Sequence, residues 1–267
     1  MISWLLAAET LERLARVGYA ARGVVYLLVG WLTATSAFSE ARPPSIGGAL
    51  SAVSDLPAGW LLVAAISIGL FAYAFWRLVQ AVLDLNDEGW GGGGLLRRGA
   101  MVADALVHAG FGLLAGTIAL GWTGLIDGRR ALGEVAAEVA LDWPLGHWIL
   151  GLVGLGAIAI GAVQVAKARR TAFEDIRAAR RDTALVRVTG RIGLAARGLI
   201  VASIGALFLA AAWRAEDTTA AGGLRAALRT LAALPLGGGV LLAVSAGLAL
   251  FGLFSLLKGW NHRRPRP

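Results

Sequence analysis

Residues 16–30 read Arg16-Val17-Gly18-Tyr19-Ala20-Ala21-Arg22-Gly23, followed by apolar residues to Gly30. The pattern returns as Arg191-Ile192-Gly193-Leu194-Ala195-Ala196-Arg197-Gly198, running on to Gly205. Arg, Gly, Ala, Ala, Arg, Gly and the later Gly recur at one fixed offset. A weaker copy runs from Val102 to Gly116, with Asp104 in the first Gly column and His108 in the second Arg column. Self-similarity of this kind marks a chain built from repeats, and the repeat decides the fold.

Working outward from each copy gives one plan used three times. The first unit has an apolar span from about Leu14 to Phe38 and a polar loop with Glu40, Arg42, Pro43 and Pro44. A short amphipathic stretch follows, with Ile46, Leu50 and Val53 at helical spacing. Pro57 then opens a span to about Leu83, in the first turn of a helix, where no N–H partner is lost. The second unit has a span from about Gly99 to Gly124, a stretch marked by Leu132, Val135 and Val139, and Pro144 opening a span to Ala168. The third runs from Thr189 to Trp213, then Leu224, Leu228 and Leu231, then Pro235 and a span to about Lys258. Apolar runs of about 20 residues match a hydrocarbon core of roughly 30 Å. The fold class expected is all-α: a polytopic membrane helix bundle of six transmembrane helices. They form three parallel two-helix repeats with short amphipathic surface helices. Residues 1–267 form a single membrane domain, with repeat 1 at 10–88, repeat 2 at 95–170 and repeat 3 at 185–260. Residues 171–188, rich in Arg and interleaved with Phe173, Ile176 and Leu185, read as a cytoplasmic surface linker helix or as a solvated connector. Gly91–Gly94 lack the Lys-Ser/Thr of a phosphate loop and read as a flexible loop.

Composition agrees. Hydrophobic residues make up 57% of the chain and charged residues 16%, against roughly a quarter charged in soluble domains. The 37 glycines are spread through the apolar runs, where small residues let membrane helices pack closely. The absence of cysteine excludes disulfides and thiolate chemistry. The start, Met1 to Glu12, lacks a basic n-region and does not read as a signal peptide. Six spans put both termini on one side. Of the 25 Lys and Arg residues, only Arg42, Arg129, Arg130, Arg214, Arg225 and Arg229 fall on the other side. Acidic residues split almost evenly. Basic residues gather in cytoplasmic loops, so both termini are expected in the cytoplasm of a multi-pass protein of the cell inner (plasma) membrane. Topology thus accounts for the net charge of +8, and no nucleic-acid partner is expected. Trp60, Trp122, Trp143, Trp148 and Trp213 mark the outer ends of spans, and Trp76, Trp90 and Trp260 the inner ends.

Gly-Tyr-Ala-Ala-Arg-Gly before an apolar span, then Gly47-Gly48-Ala49-Leu50, then Leu-Pro-x-Gly, then a span ending Tyr73-Ala74-Phe75-Trp76-Arg77, form one combination. It resembles the bacterial membrane family catalogued as domain of unknown function 1206. The resemblance covers about Leu14 to Lys258 in three copies, and the middle copy departs from it at Asp104 and His108. It implies a six-helix bacterial inner-membrane protein and carries no activity.

Arg22, His108 and Arg197 occupy one column of the three repeats. If the repeats surround a pseudo-threefold axis, they share one depth and form a cationic ring for an anionic lipid head, phosphate or carboxylate, with Arg77 nearby. An ionisable group inside a span is a functional hypothesis by default. The competing reading has each arginine snorkelling to the interface. Asp104, one turn before His108, reads either as half of a proton relay or as a buried polar partner of Arg22 or Arg197. Gln80, Lys167 and Lys258 align one turn beyond Arg77, Gln164 and Ser255 and read as interface anchors. His147 reads as interfacial. No metal site, catalytic set or cofactor is expected. Three functions follow. The first is a non-enzymatic scaffold or lipid-interacting module, with membrane lipids as partners and a homo-oligomer as an allowed state. The second is a small transporter or channel for an anionic solute or lipid along the seam. The third, ranked last, is a lipid enzyme using Asp104 and His108.

Overall fold

The computed structural model describes residues 2–38, 43–122, 132–169, 183–214 and 223–261. They form α1 (Ile2–Ala37), α2 (Ile46–Ser54), α3 (Gly59–Leu83), α4 (Gly92–Ala119), α5 (Leu132–Leu141), α6 (Gly146–Arg169), α7 (Thr183–Arg214), α8 (Gly223–Ala232) and α9 (Gly237–Trp260). No strand occurs among the described residues. Six helices, α1, α3, α4, α6, α7 and α9, are long and apolar enough to cross a membrane. Helix α1 starts about three turns earlier than the apolar run predicts. Glu9–Arg13 and Glu12–Arg16 pairs, each one turn apart, favour those added turns. Of the linker expected at 171–188, residues 171–182 lie outside the described residues, and 183–188 are the first turns of α7.

The short helices α2, α5 and α8 all lie at the end of the bundle opposite the start of α1 and the end of α9. Ser45 caps α2, its Oγ accepting the Gly48 N–H at 3.0 Å. Ala49, Leu50 and Val53 of α2 and Ala227 and Leu228 of α8 are buried. Their apolar faces therefore turn into the mouth of the bundle, with α2 on α3 and α4, and α8 on α7 and α9. Arg225 of α8 donates to Ser45 at 2.9 Å and ties two of these helices together.

The prolines do not start the even helices, as the sequence predicts; each stands two residues ahead, in a tight turn. In Pro57-Ala58-Gly59 and Pro235-Leu236-Gly237 the middle residue is left-handed, with φ of 58° at Ala58 and 65° at Leu236. The glycine that follows opens the helix. A Cβ on Gly59, Gly146 or Gly237 would collide with the carbonyl of Val53, Ala140 or Ala232. The Pro-x-Gly element is thus a steric hinge between short helix and span.

Each glycine column of the repeat marks a helix contact. Gly18 lets α1 meet α3: a Cβ there would lie 2.6 Å from Tyr73 Cα. Gly193 does the same for α7 and α9, 2.6 Å from Phe251 Cα. These contacts close the hairpins of repeats 1 and 3. The later columns join neighbouring repeats. Gly23 and Gly30 face α9, while Gly198 and Gly205 meet Gly161 and Gly154 of α6 backbone to backbone. Helix α4 packs on α3, with Ser67 donating to the Gly112 carbonyl at 2.7 Å. The helices therefore run in an arc, α4–α3–α1–α9–α7–α6.

The ends of the arc, α4 and α6, belong to one hairpin yet have no extended contact. The sequence supplies the reason. Asp104 replaces the glycine at the column of Gly18 and Gly193, and Val107 replaces the alanine at the column of Ala21 and Ala196. A side chain at the first column and a larger one at the second rule out the close backbone approach that the other two hairpins make. Gly156, the counterpart of Gly69 and Gly247, accordingly faces open space, whereas those two press on Ala21 and Ala196.

One apolar core fills the arc toward the α2 end, with Val25, Val29, Leu50, Val63, Ile66, Leu70, Leu114, Ile118, Ile200 and Leu248 buried together. Two further expectations need correction. Trp76 is not an interface residue: it is buried with Ala15, Tyr19 and Tyr73, because its side of α3 faces α1. The glycine run is not a loop. Gly91 is the N-cap and Gly92–Gly94 form the first turn of α4. A Cβ on Gly94 would strike the Glu88 and Gly89 carbonyls.

Candidate anion-binding site

Arg22 and Arg197 stand near the middle of their spans, Glu9–Ala37 and Ala184–Trp213. Neither snorkels. Arg22 is buried, its Nε and Nη2 donating to Ser255 Oγ at 3.1 and 2.9 Å, its Nη1 to Tyr73. The rings of Tyr73 and Phe251 lie 4.6 and 4.9 Å from its guanidinium carbon. Arg197 donates from Nε to Tyr26 at 3.0 Å, from Nη1 to Gln164 at 2.7 Å and from Nη2 to Asp104 at 3.1 Å.

Asp104 is the node. Its Oδ1 accepts from Arg197, and its Oδ2 accepts from Arg77 Nε at 2.9 Å and Tyr73 Oη at 2.8 Å. Arg77 also donates to Gln80 at 3.0 Å, which makes Gln80 a buried polar partner instead of an interface anchor. The carboxylate is thus the structural partner of Arg197, one of the two readings of this residue. His108 is fully enclosed. Its Nδ1 lies 2.7 Å from the Asp104 carbonyl oxygen, so Nδ1 carries the proton and donates. Its ring packs 4.6 Å from Tyr73. Nε2 of His108 is buried without a hydrogen-bond partner among the described residues.

The repeat pattern orders this cluster. The residue at the Arg77 position is Gln164 in repeat 2 and Ser255 in repeat 3. Arg22 of α1 bonds Ser255 of α9, and Arg197 of α7 bonds Gln164 of α6. At the third inter-repeat contact, α3 with α4, the roles swap: α4 carries His108 and α3 carries Arg77. Each inter-repeat interface therefore brings one guanidinium to the cluster; Arg77 and Arg197 contact its carboxylate directly, and Arg22 reaches it through Tyr73. The alignment of Arg77, Gln164 and Ser255 was visible in the chain; that this column faces the arginine column was not. Tyr73 and Tyr26 carry no such signal in the chain, because a tyrosine in an apolar span reads as core.

Asp104 and His108 share a helix face, but the carboxylate is held by two arginines and a tyrosine. Among the described residues no group of three metal-ligating side chains forms. His147 lies on the exposed side of α6, beside Trp148.

A family model described as Domain of Unknown Function matches this chain three times, over residues 17–84, 100–171 and 192–262. The chain belongs to the DUF1206 family. An uncharacterized protein, YxxB, of Bacillus subtilis (strain 168) is 32% identical over 254 residues, which cover 93% of this chain and 90% of that protein. No solved structure matches the chain. The three matched DUF1206 segments each contain one member of the Arg22, His108 and Arg197 column, so the family's repeat is the unit that delivers one side chain to the cluster.

Proposed function

We propose that this DUF1206 protein is a non-enzymatic plasma-membrane module that binds an anionic head group between its repeats. The single observation that carries the reading is the charge imbalance at the cluster: Arg22, Arg77 and Arg197 against Asp104, the one carboxylate bonded there among the described residues. Arginine does not give up its proton in proteins. Charge left unbalanced inside a membrane is costly, so two guanidiniums in excess favour a bound anion. The apolar core between the cluster and the α2 end supports a binding module over a conducting path. The distribution of basic residues supports cytoplasmic termini, with the cluster reached from the cytoplasmic half.

The test uses purified protein in a non-ionic detergent, melted with phosphatidylglycerol, phosphatidylcholine or inorganic phosphate. Phosphatidylglycerol or phosphate should raise the melting temperature and phosphatidylcholine should not. Arg22→Gln combined with Arg197→Gln should remove the rise. A melt that no anion shifts would refute the reading. Orientation has its own test, since the chain has no cysteine. In intact cells an impermeant thiol reagent should label Asp55→Cys and spare Glu88→Cys.

A further inference from the structure

The open hairpin of repeat 2 lies beside the cluster. Positions buried in the two closed hairpins are exposed in this one. Trp76 and Phe254 are 2% and 5% exposed, and their counterpart Val163 is 49% exposed. Val107, at the Ala21 column, is 50% exposed. Gly156 and Ile160 line the same side of α6, at the positions of Gly69 and Tyr73. A slot therefore runs between α4 and α6 with apolar walls. Arg197 spans its floor: Nη2 bonds Asp104 on the α4 wall and Nη1 bonds Gln164 on the α6 wall. The charged groups nearest the slot keep some exposure, 14% for the Arg197 side chain and 15% for Asp104. Arg22, farther round the arc, and His108, on the buried side of α4, are closed off.

We infer that this slot admits an anionic phospholipid sideways from the bilayer, its phosphate reaching Arg197 and Arg77 and an acyl chain lying along Val107, Gly156, Ile160 and Val163. The inference rests on the anion-binding reading above and names its ligand. Apolar walls leading to surplus positive charge complement an amphiphile with a negative head. A soluble anion gains nothing from the walls, and a zwitterionic lipid brings its own cation. Depth sets the demand: Arg77 lies about 9 Å along α3 from Leu83, within the leaflet on the Leu83 side, so a head group from that leaflet must be drawn inward by about that distance. The surplus guanidiniums give the phosphate charge-assisted, two-pronged contacts.

Native mass spectrometry of the full chain tests this with three probes: dioleoyl phosphatidylglycerol, dioleoyl phosphatidylcholine and sn-glycerol 3-phosphate. The chain should retain phosphatidylglycerol at least tenfold over phosphatidylcholine and sn-glycerol 3-phosphate. Gly156→Leu, which fills the slot and touches no arginine, should cut phosphatidylglycerol retention at least fivefold. Because Gly156 faces open space, this variant should melt near the wild type; if it does not fold, Val107→Trp carries the same test from the other wall. Unchanged retention in the slot variant, with loss in Arg197→Gln or Arg77→Gln, overturns the slot and leaves the anion site standing. Unchanged retention in all of them removes the anion site as well. Retention of sn-glycerol 3-phosphate equal to that of the lipid also overturns the slot.

Discussion

A single aspartate makes the packed cluster possible. Asp104 receives two guanidiniums and a tyrosine hydroxyl. Removing one partner of a buried charged network costs about 3–5 kcal/mol, because the remaining charge stays buried and unpaired. Asp104→Asn should therefore lower the melting temperature sharply, and adding Arg197→Gln should restore part of it. Thermal unfolding of the two variants and the wild type in one detergent measures the coupling. A second aspartate acts outside the spans. Asp84 ends α3 in a left-handed conformation, and its carboxylate accepts the Gly89 and Glu88 N–H groups at 2.8 Å each. The Gly89 N–H above all, with the Glu88 N–H and nearby Arg98, holds the carboxyl below its usual range. A depressed carboxylate pKa gives stability that is full above the unfolded value of about 3.9 and is lost as pH falls through the folded value. The melting difference between wild type and Asp84→Asn should thus be flat near neutrality and shrink below about pH 4.

At the scale of helices, glycine decides which pairs meet. Gly161 faces α7 so closely that a Cβ would lie 2.5 Å from the Gly198 carbonyl oxygen and 2.7 Å from the Ala202 nitrogen. Gly161→Val should separate α6 from α7 and destabilise by about 1–3 kcal/mol. Gly239→Ala, where nothing lies within 4 Å of the added carbon, should instead be neutral or gain up to about 1 kcal/mol through the unfolded state. Paired thermal melts separate contact glycines from idle ones; equal losses would contradict the assigned interfaces. The same residues show what the chain makes legible. Span order, repeat number and the short helices follow from apolar periodicity and Pro-x-Gly, both local signals. The use of each glycine column does not, since Gly18 and Gly23 look alike in sequence, yet one closes a hairpin and the other joins two repeats. Trp76 is illegible for a related reason: its distance from the span end can be read, but the face it occupies depends on α1. Arg22 and Arg197 could snorkel or converge on sequence grounds alone. Partners far along the chain, Ser255 and Gln164, decide between the two.

Across the whole molecule, three hairpins of one plan are distorted at one place, and charge is redistributed with the distortion. In repeat 2 the arginine column holds His108, and the cation of that interface sits across the contact at Arg77. If the cluster works by placing one guanidinium at each inter-repeat interface, the helix that carries it should be interchangeable. Arg77→Gln alone removes the charged hydrogen bond to Asp104 and one of the surplus cations, and should lower both stability and anion-induced stabilisation. His108→Arg alone adds a fourth cation to an enclosed site and should be worse, since the new charge has no carboxylate of its own. The double variant restores the Arg-with-Gln pairing that Arg197 and Gln164 show, at 2.7 Å, in the equivalent place. It should recover most of the stability lost in either single variant, with a coupling energy of about 0.5–3 kcal/mol in the mutant cycle. Additive losses would mean that the three interfaces are not equivalent and that Arg77 serves Asp104 alone. Recovery of folding with recovery of the phosphatidylglycerol-induced shift would tie anion binding to the threefold placement of charge, independent of which helix supplies it.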